Sequence, residues 1–273
     1  MHACLESTGT YGEAAALALH QSGHRVSIVN PALVRAFGQS ELSRTKTDKA
    51  DAQLMARFCR MHQPPAWTPP LPEVRELQAL VRRLEALEAM QQMEQNRLET
   101  GVASATVQTQ LQEHIGYLQV QIEQTRTLIR AHIDQNPTLK QQRDLLTSIP
   151  GIAQTTAALL LAELGPVQRF QSARQVAAFA GLVPRLKQSG TSVRGRSSLS
   201  KTGSSRLRKS LYFPSLVALR FNPLVQALGE RLRAQGKSKM LIVGAAMRKL
   251  LHLCFGVLKS GQPFNPNFAV QNS

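Results

Sequence analysis

The sequence is poor in the residues that make covalent or metal cross-links. Its three cysteines, Cys4, Cys59 and Cys254, are scattered, with no C-x-x-C pair. That spacing excludes a zinc knuckle and a disulfide framework and fits a reducing compartment. No run approaches the roughly eighteen consecutive apolar residues of a membrane helix, and the first residues lack the basic-then-apolar order of an export signal. A soluble, intracellular protein without a membrane span is expected. The most informative shortage is of acid. From Gly165 to Gly229 there are eleven Lys and Arg and no Asp or Glu. A solvated charged face normally mixes both signs, so a one-signed stretch of this length points to a polyanion.

The formal charge of +16 and the pI of about 10.7 carry the same message without locating it. The distribution locates it. Residues 1–70 hold seven basic and five acidic side chains, residues 71–140 seven and nine, and residues 141–273 nineteen and three. The whole excess lies in the last half. At 273 residues the chain has room for one large domain or two medium ones.

Three regions separate along the chain. Residues 1–62 read as α/β. A strand ends at Glu6, a helix covers Tyr11–Ser22, and a buried strand Arg25–Val29 is closed by Asn30-Pro31. A further helix runs from about Thr47, its N-cap, to about Arg60. The stretch Gln63–Pro70 is a stiff, proline-rich exit. Residues 63–142 then comprise this linker and a helical arm. Leu77, Leu80, Leu84 and Leu87, and later Leu111, Ile115, Leu118, Ile122, Thr125 and Ile129, alternate by three and four as in a coiled coil. Gly101 to Thr109 reads as a bend between antiparallel helices. Such an arm either packs on its own protein or joins two copies. Residues 143–273 are mostly helical. Leu145–Leu164 reads as a helix, a tight turn at Pro150-Gly151 and a second helix, the form of a helix-hairpin-helix, with Ala153 where that motif carries a glycine. The motif aims backbone N–H groups at a DNA phosphate, although the same turn also serves as a plain packing corner. A last helix covers Lys237–Leu258 and carries Arg248 and Lys249.

Three carboxylates are candidates for chemistry. Glu6 stands at the C-terminal end of a strand, where open α/β sheets place their sites. Asp48 and Asp51, three apart at a helix start, project from one face. Clusters of this kind hold Mg²⁺ for nucleotidyl transfer, but aspartates at a helix N-terminus also serve the helix dipole. In the basic zone Ser189-Gly190 offers a nucleophile, with Ser192, Ser197, Ser198 and Ser200 nearby and no histidine close in sequence to act as base. A Ser/Gly/Arg stretch is equally read as a loop that contacts phosphates. The candidates for gripping DNA are Pro150 and Gly151 in the turn and Arg185, Lys187, Arg194, Arg196, Lys201, Arg206, Arg208 and Lys209 in the basic zone.

Several segments together resemble a known family. ESTGTY at 6–11, GHRVSIVNP at 23–31 and KTDKADAQLMA at 46–56 are similar to the N-terminal domain of insertion sequence 110 family transposases. SIPGIAQTTAALLLAELG at 148–165, ARQVAAFAGLVP at 173–184, SG at 189–190, SKTGSSRLRKSLY at 200–212 and AAMRKLL at 245–251 resemble its C-terminal transposase domain. The related Piv-type DNA invertases share the pattern. The resemblance implies an incomplete RuvC-like, ribonuclease-H-type domain over 1–62, a coiled-coil arm within 63–142, and a C-terminal transposase domain with a helix-hairpin-helix over 143–273. It implies Mg²⁺ bound by a DEDD carboxylate set, of which Glu6, Asp48 and Asp51 match the last three members. Ser189 matches the serine that becomes joined to DNA. It further implies DNA as partner, an element-encoded guide RNA in some members, dimers or tetramers through the coiled coil, and a place in the bacterial cytoplasm on the nucleoid. The family's first Asp lies on a strand well upstream of its Glu, whereas this chain begins five residues before Glu6. The resemblance thus implies an N-terminally truncated member, with an unpaired sheet edge and a metal site short of one ligand. The expected activity is cutting and rejoining DNA. The alternative is a non-catalytic DNA- or RNA-binding remnant.

Overall fold

In the computed structural model, residues 1–6, 11–42, 47–185, 188–189, 193–194 and 198–267 are described. They divide into two compact units, Met1–Leu71 and Pro72–Ser273.

In the first unit, strand β1 (His2–Glu6) lies parallel to β2 (Arg25–Val29), in register from His2 opposite Arg25 to Glu6 opposite Val29. Parallel neighbours need a crossover, and helix α1 (Tyr11–Gln21) supplies it. Asn30-Pro31 does more than close β2. Asn30 accepts from the Ala32 N–H at 2.9 Å and Pro31 sits in the first turn of α2 (Pro31–Ser40), a helix that the strand-closing reading of this dipeptide missed. Helix α3 (Asp48–His62) begins as expected, with Thr47 Oγ1 accepting from the Ala50 N–H at 3.2 Å. It packs on β1 through Cys59, whose Sγ lies 4.0 Å from His2 O. The core is small, formed by Val29, Val34, Leu54 and Phe58 with Cys4, Phe37 and Met55 against it.

The proline-rich exit is not a free spacer. Trp67 N–H donates to Val26 O at 2.6 Å, and Arg25 Nη2 donates to Pro64 O at 3.1 Å. The buried Ser27 hydroxyl reaches Pro64 O at 3.0 Å and Pro65 O at 2.8 Å, while His2 Nε2 stands 2.8 Å from Ser27 Oγ. The segment is fastened along β2 by polar pins.

In the second unit, α4 (Pro72–Glu99) and α5 (Ala105–Gln135) form an antiparallel hairpin. Gly101 lies in the turn at φ +88 and Ser104 caps α5. The predicted seam is buried at Leu77, Leu84, Leu87, Leu118, Ile122, Thr125 and Ile129. Thr125 keeps its hydroxyl satisfied by donating to Gln121 O at 2.8 Å. The arm's base joins a continuous apolar core with α6 (Pro137–Thr147), α7 (Gln154–Leu164) and α8 (Ala173–Phe179).

Between α8 and the next helix the chain makes two short antiparallel ladders. Strand β3 (Pro184–Arg185) pairs with β6 (Ser198–Leu199), and β4 (Gln188–Ser189) pairs with β5 (Val193–Arg194). Among the described residues, the stretch read as a loop therefore contains two short antiparallel ladders, the β4–β5 pair lying between β3 and β6 in sequence. Helices α9 (Ser205–Phe221), α10 (Pro223–Ala234) and α11 (Lys239–Ser260) complete the unit. By length and composition α11 could cross a membrane, but more than half of it is buried within the unit, where it packs on α8, α9 and α10. It is the central core helix.

Candidate nucleic-acid interface

The candidate carboxylates of the first unit lie on β1 and α3. Cys59, near the end of α3, lies beside His2 at the start of β1. Asp48 and Asp51 are exposed in the first turn of α3, and Glu6 is half-buried. Their oxygens are of the hard kind that Mg²⁺ takes. The three do not come together as one donor set, however, since among the described residues no group of three or more His, Cys, Asp or Glu is placed to hold a metal ion. The cysteines of this unit do meet. Burial and the neighbouring Cys59 push the Cys4 thiol up to about 12, which leaves it protonated and unreactive.

In the second unit the basic hairpin stands on a jointed base. Gly181 (φ +67) and Gly203 (φ +136) cross backbone to backbone, and a Cβ on Gly203 would strike Phe179 O and lie 2.7 Å from Gly181 N. Only glycine fits both the space and the dihedral. Four backbone bonds lock the joint, from Leu182 N–H to Ala177 O (2.8 Å), Ser200 N–H to Val183 O (2.8 Å), Lys201 N–H to Gly181 O (3.3 Å) and Ser204 N–H to Phe179 O (2.7 Å). Ser189 and Arg194 are placed by their backbone in β4 and β5. Lys187 and Arg196 lie outside the described residues.

The basic residues predicted from the charge run divide into two groups. Arg185, Lys201 and Lys209 are exposed. Arg206 is engaged inside the unit, with Nε 3.3 Å from Glu85 Oε2 and Nη1 3.4 Å from Glu163 Oε1. Burial raises the Glu85 carboxyl above its ordinary value, and Arg206 opposes that shift. Arg208 Nη1 donates to Ala180 O at 3.0 Å and lies 3.4 Å from Gly203 O and Ser204 O, so it braces the glycine joint. A count of positive charges cannot distinguish these roles.

The turn at Pro150-Gly151 is spent largely on packing. Gly151 sits at φ +106 against α9, where a Cβ would lie 2.9 Å from both Ala218 Cβ and Pro214 O, and Asn222 Nδ2 donates to Pro150 O at 3.4 Å. The N-terminus of α7 behind it has no side-chain cap at Ala153. Its first residues, Gln154 and Thr155, line a cavity of about 160 Å³ shared with α4 and α5. Arg126 and Arg143 reach that cavity already paired, with Glu88 and Glu123 and with Asp134 and Asp144 respectively. This packed corner is a reading that the sequence left open.

Comparison with known proteins defines the class of protein to which these two units belong. Residues 1–106 match the DEDD-type transposase family model, and residues 143–230 match the model described as "Transposase IS116/IS110/IS902 family". The chain belongs to the IS110 transposase family, whose members are DNA-cutting transposases and DNA invertases. It is 36% identical over 266 residues to the pilin gene-inverting protein of Moraxella bovis, an alignment covering 97% of this chain and 82% of that protein. It is 30% identical over 224 residues to the transposase for insertion sequence element IS1328 of Yersinia enterocolitica, covering 71% of this chain and 64% of the relative.

Sequence reasoning missed two features here. The glycine joint was visible only as scattered glycines, and its signal was the pair Gly181 and Gly203 flanking the basic stretch. The cationic group on α8 and α11 was represented only by Arg248 and Lys249.

Proposed function

We propose that this chain cuts and rejoins DNA as a recombinase of an insertion sequence, with Ser189 as nucleophile and Glu6, Asp48 and Asp51 as ligands of Mg²⁺. The observation that carries the reading is the hairpin. In support of it, the Ser189 backbone lies in a short ladder above a base that only glycines permit, within a stretch of sequence that carries no acid. Ser189 Oγ would attack phosphorus. The new O–P bond forms as the bond to the departing deoxyribose oxygen breaks, and that oxygen takes up a proton as it leaves as a hydroxyl. Arg185, Lys201 and Lys209, with Lys187, Arg194 and Arg196, would grip the phosphates around the reacting one. When bound, Mg²⁺ would stabilise charge on the phosphate oxygens. Among the described residues the three carboxylates as placed do not complete its site.

The finer architecture belongs to the same proposal. Residues 1–62 would be the partial RuvC-like domain, 63–142 the linker and coiled-coil arm, and 143–273 the transposase domain, in keeping with the family segment that begins at 143. The α6–α7 corner would act as a helix-hairpin-helix through the uncapped N–H groups of α7. The α4–α5 arm would join copies into a dimer or tetramer, and an element-encoded RNA would serve as guide, in the cytoplasm.

Replacing Ser189 by Ala should abolish strand exchange and the covalent protein–DNA adduct on a supercoiled plasmid substrate, with DNA affinity retained. Undiminished recombination by the variant sinks the assignment. The ungrouped carboxylates favour one rival, a chain that binds DNA or RNA without cutting it. An adduct formed by the wild-type chain rules that rival out.

A further inference from the structure

The last helix carries a motif that the hairpin does not use. Arg248, Lys249 and His252 lie on adjoining turns of α11, and Arg174 on α8 acts on the same histidine. Lys259 Nζ donates to Gln171 O at 3.2 Å toward one end, and Gly244 meets Leu199 of β6 toward the other. Arg174 is exposed, and Arg248, Lys249 and His252 are half-buried.

No carboxylate balances this group. Neither α8 nor α11 contains an acidic residue, and among the described residues none of the three cations is held in an ion pair. Like charges gathered without a counter-ion oppose the compact state. A second deficit lies beside the first. Nε2 of His252 is shielded from solvent and has no hydrogen-bond partner among the described residues, and a buried nitrogen left so is destabilising. One kind of ligand removes both deficits, namely an anion with several acceptor oxygens. Arginine matches such a group with two parallel N–H donors, and lysine meets it as a point charge.

We propose that the α8–α11 face is a second phosphate-binding site, taking the phosphodiester backbone of a nucleic acid through Arg174, Arg248, Lys249 and His252. The site rests on the reading of the chain as a DNA-handling protein and extends it. Gly244, which touches the hairpin base at Leu199, precedes Arg248 by one turn, about 6 Å along α11. The face therefore continues the basic track away from the hairpin.

The test is binding of the whole chain to a duplex DNA of arbitrary sequence and to a single-stranded RNA of equal length, each followed against salt. Replacing Arg174, Arg248 and Lys249 together by Gln should flatten the slope of log K against log salt by roughly 2.7 on duplex or roughly 2.1 on a single strand. Loss on duplex alone identifies DNA as the occupant, loss on RNA alone identifies RNA, and either supports the site. A folded triple variant with an unchanged slope on both overturns it. Should the triple variant fail to fold, Arg174→Gln alone, at an exposed position, should flatten the slope by roughly 0.9 on the occupant if it is duplex, or roughly 0.7 if it is single-stranded, and no change there is equally fatal. A Lys201→Gln/Lys209→Gln variant separates the two readings. If it flattens the slope while the α8–α11 variant does not, only the second site fails. If the wild-type chain binds neither probe, the nucleic-acid reading itself fails.

Discussion

In the first unit a parallel strand pair and three helices enclose a small apolar core around Val29, Val34, Leu54 and Phe58, supplemented by hydroxyl and guanidinium bonds to a proline-rich strap. In the second unit one apolar core runs from Val74 on the arm to Val257 on the last helix. The first holds its few carboxylates on ends and turns; the second carries nearly all the excess positive charge on a rigid helical frame. The difference shows how the same chain can stabilise two chemistries. A unit with little to bury leans on polar pins, whereas a unit with a large core can tolerate a one-signed surface whose repulsion would unravel a smaller body.

The two cores should respond unequally to the same truncation. Leu250 is fully buried in α11, and Leu250→Ala should cost about 4 kcal/mol in a urea melt, through lost transfer energy plus a cavity. Leu54 is partly shielded by Gly38, whose position would bring a Cβ within 2.8 Å of Leu54 Cδ2. Leu54→Ala, at the edge of the small core, should cost about 2 kcal/mol. Equal losses would mean that the first unit is as tightly packed as the second.

The glycine joint comes next. Gly203→Ala places a methyl group against Phe179 O at a dihedral that L-residues avoid, and should cost about 3 kcal/mol. Gly23, between α1 and β2, also has positive φ (+77), but nothing lies within 4 Å of its Cβ position. Gly23→Ala should lose only about 1 kcal/mol, from strain alone. The same substitution thus measures how much of each turn's glycine requirement is space and how much is dihedral.

These contrasts also explain what could be read in advance. The arm was legible because Leu84, Leu87, Leu118 and Ile122 repeat at the helical period, and the seam needs no information from elsewhere in the chain. Thr47 announced α3 through its capping hydroxyl. Asn30-Pro31 announced α2 equally well, but the same dipeptide also closes strands, so its local signal was ambiguous. The strap was illegible because Ser27 and Arg25 bond to carbonyl groups, which leave no mark in a side-chain pattern. The hairpin was illegible because two-residue ladders are too short to show alternation. As for the candidate site, residue type and spacing located Ser189 and the charge run. They could not separate Arg206 and Arg208, which serve the fold, from Lys201 and Lys209, which face solvent. Nor could they tell that Glu6, Asp48 and Asp51, from two elements brought together by tertiary packing, stop short of one donor set.

The strap offers a sharper test of polar pinning. Ser27→Ala leaves Pro64 O and Pro65 O without their hydroxyl donor and should cost about 2 kcal/mol, measured by thermal or urea unfolding. Thr125→Ala in the arm should cost less, because its hydroxyl only returns to Gln121 O within its own helix. If the two are equal, the strap contributes no more than a local side-chain bond.

The smallest effect distinguishes the units by pH. His252 in the second unit is held below its ordinary value of 6.5, first by burial and then by Arg248, Lys249 and Arg174. The unfolded chain therefore binds a proton at this residue at a pH where the folded chain does not. The associated stability is fully present above the unfolded value and is lost as pH falls from there through the lowered folded value. His2 is lowered too, by burial, Arg25 and the N-terminal ammonium, so the first unit has its own acid-side loss. His252→Gln should flatten only the second unit's share of the decline between about pH 7 and pH 5, with the His2 share left in place. Adding duplex DNA should reduce the same share in the wild-type chain, because a phosphate beside His252 favours its charged form. Identical pH profiles for wild type and His252→Gln, with and without DNA, would show that the histidine titrates alike in the folded and unfolded chain.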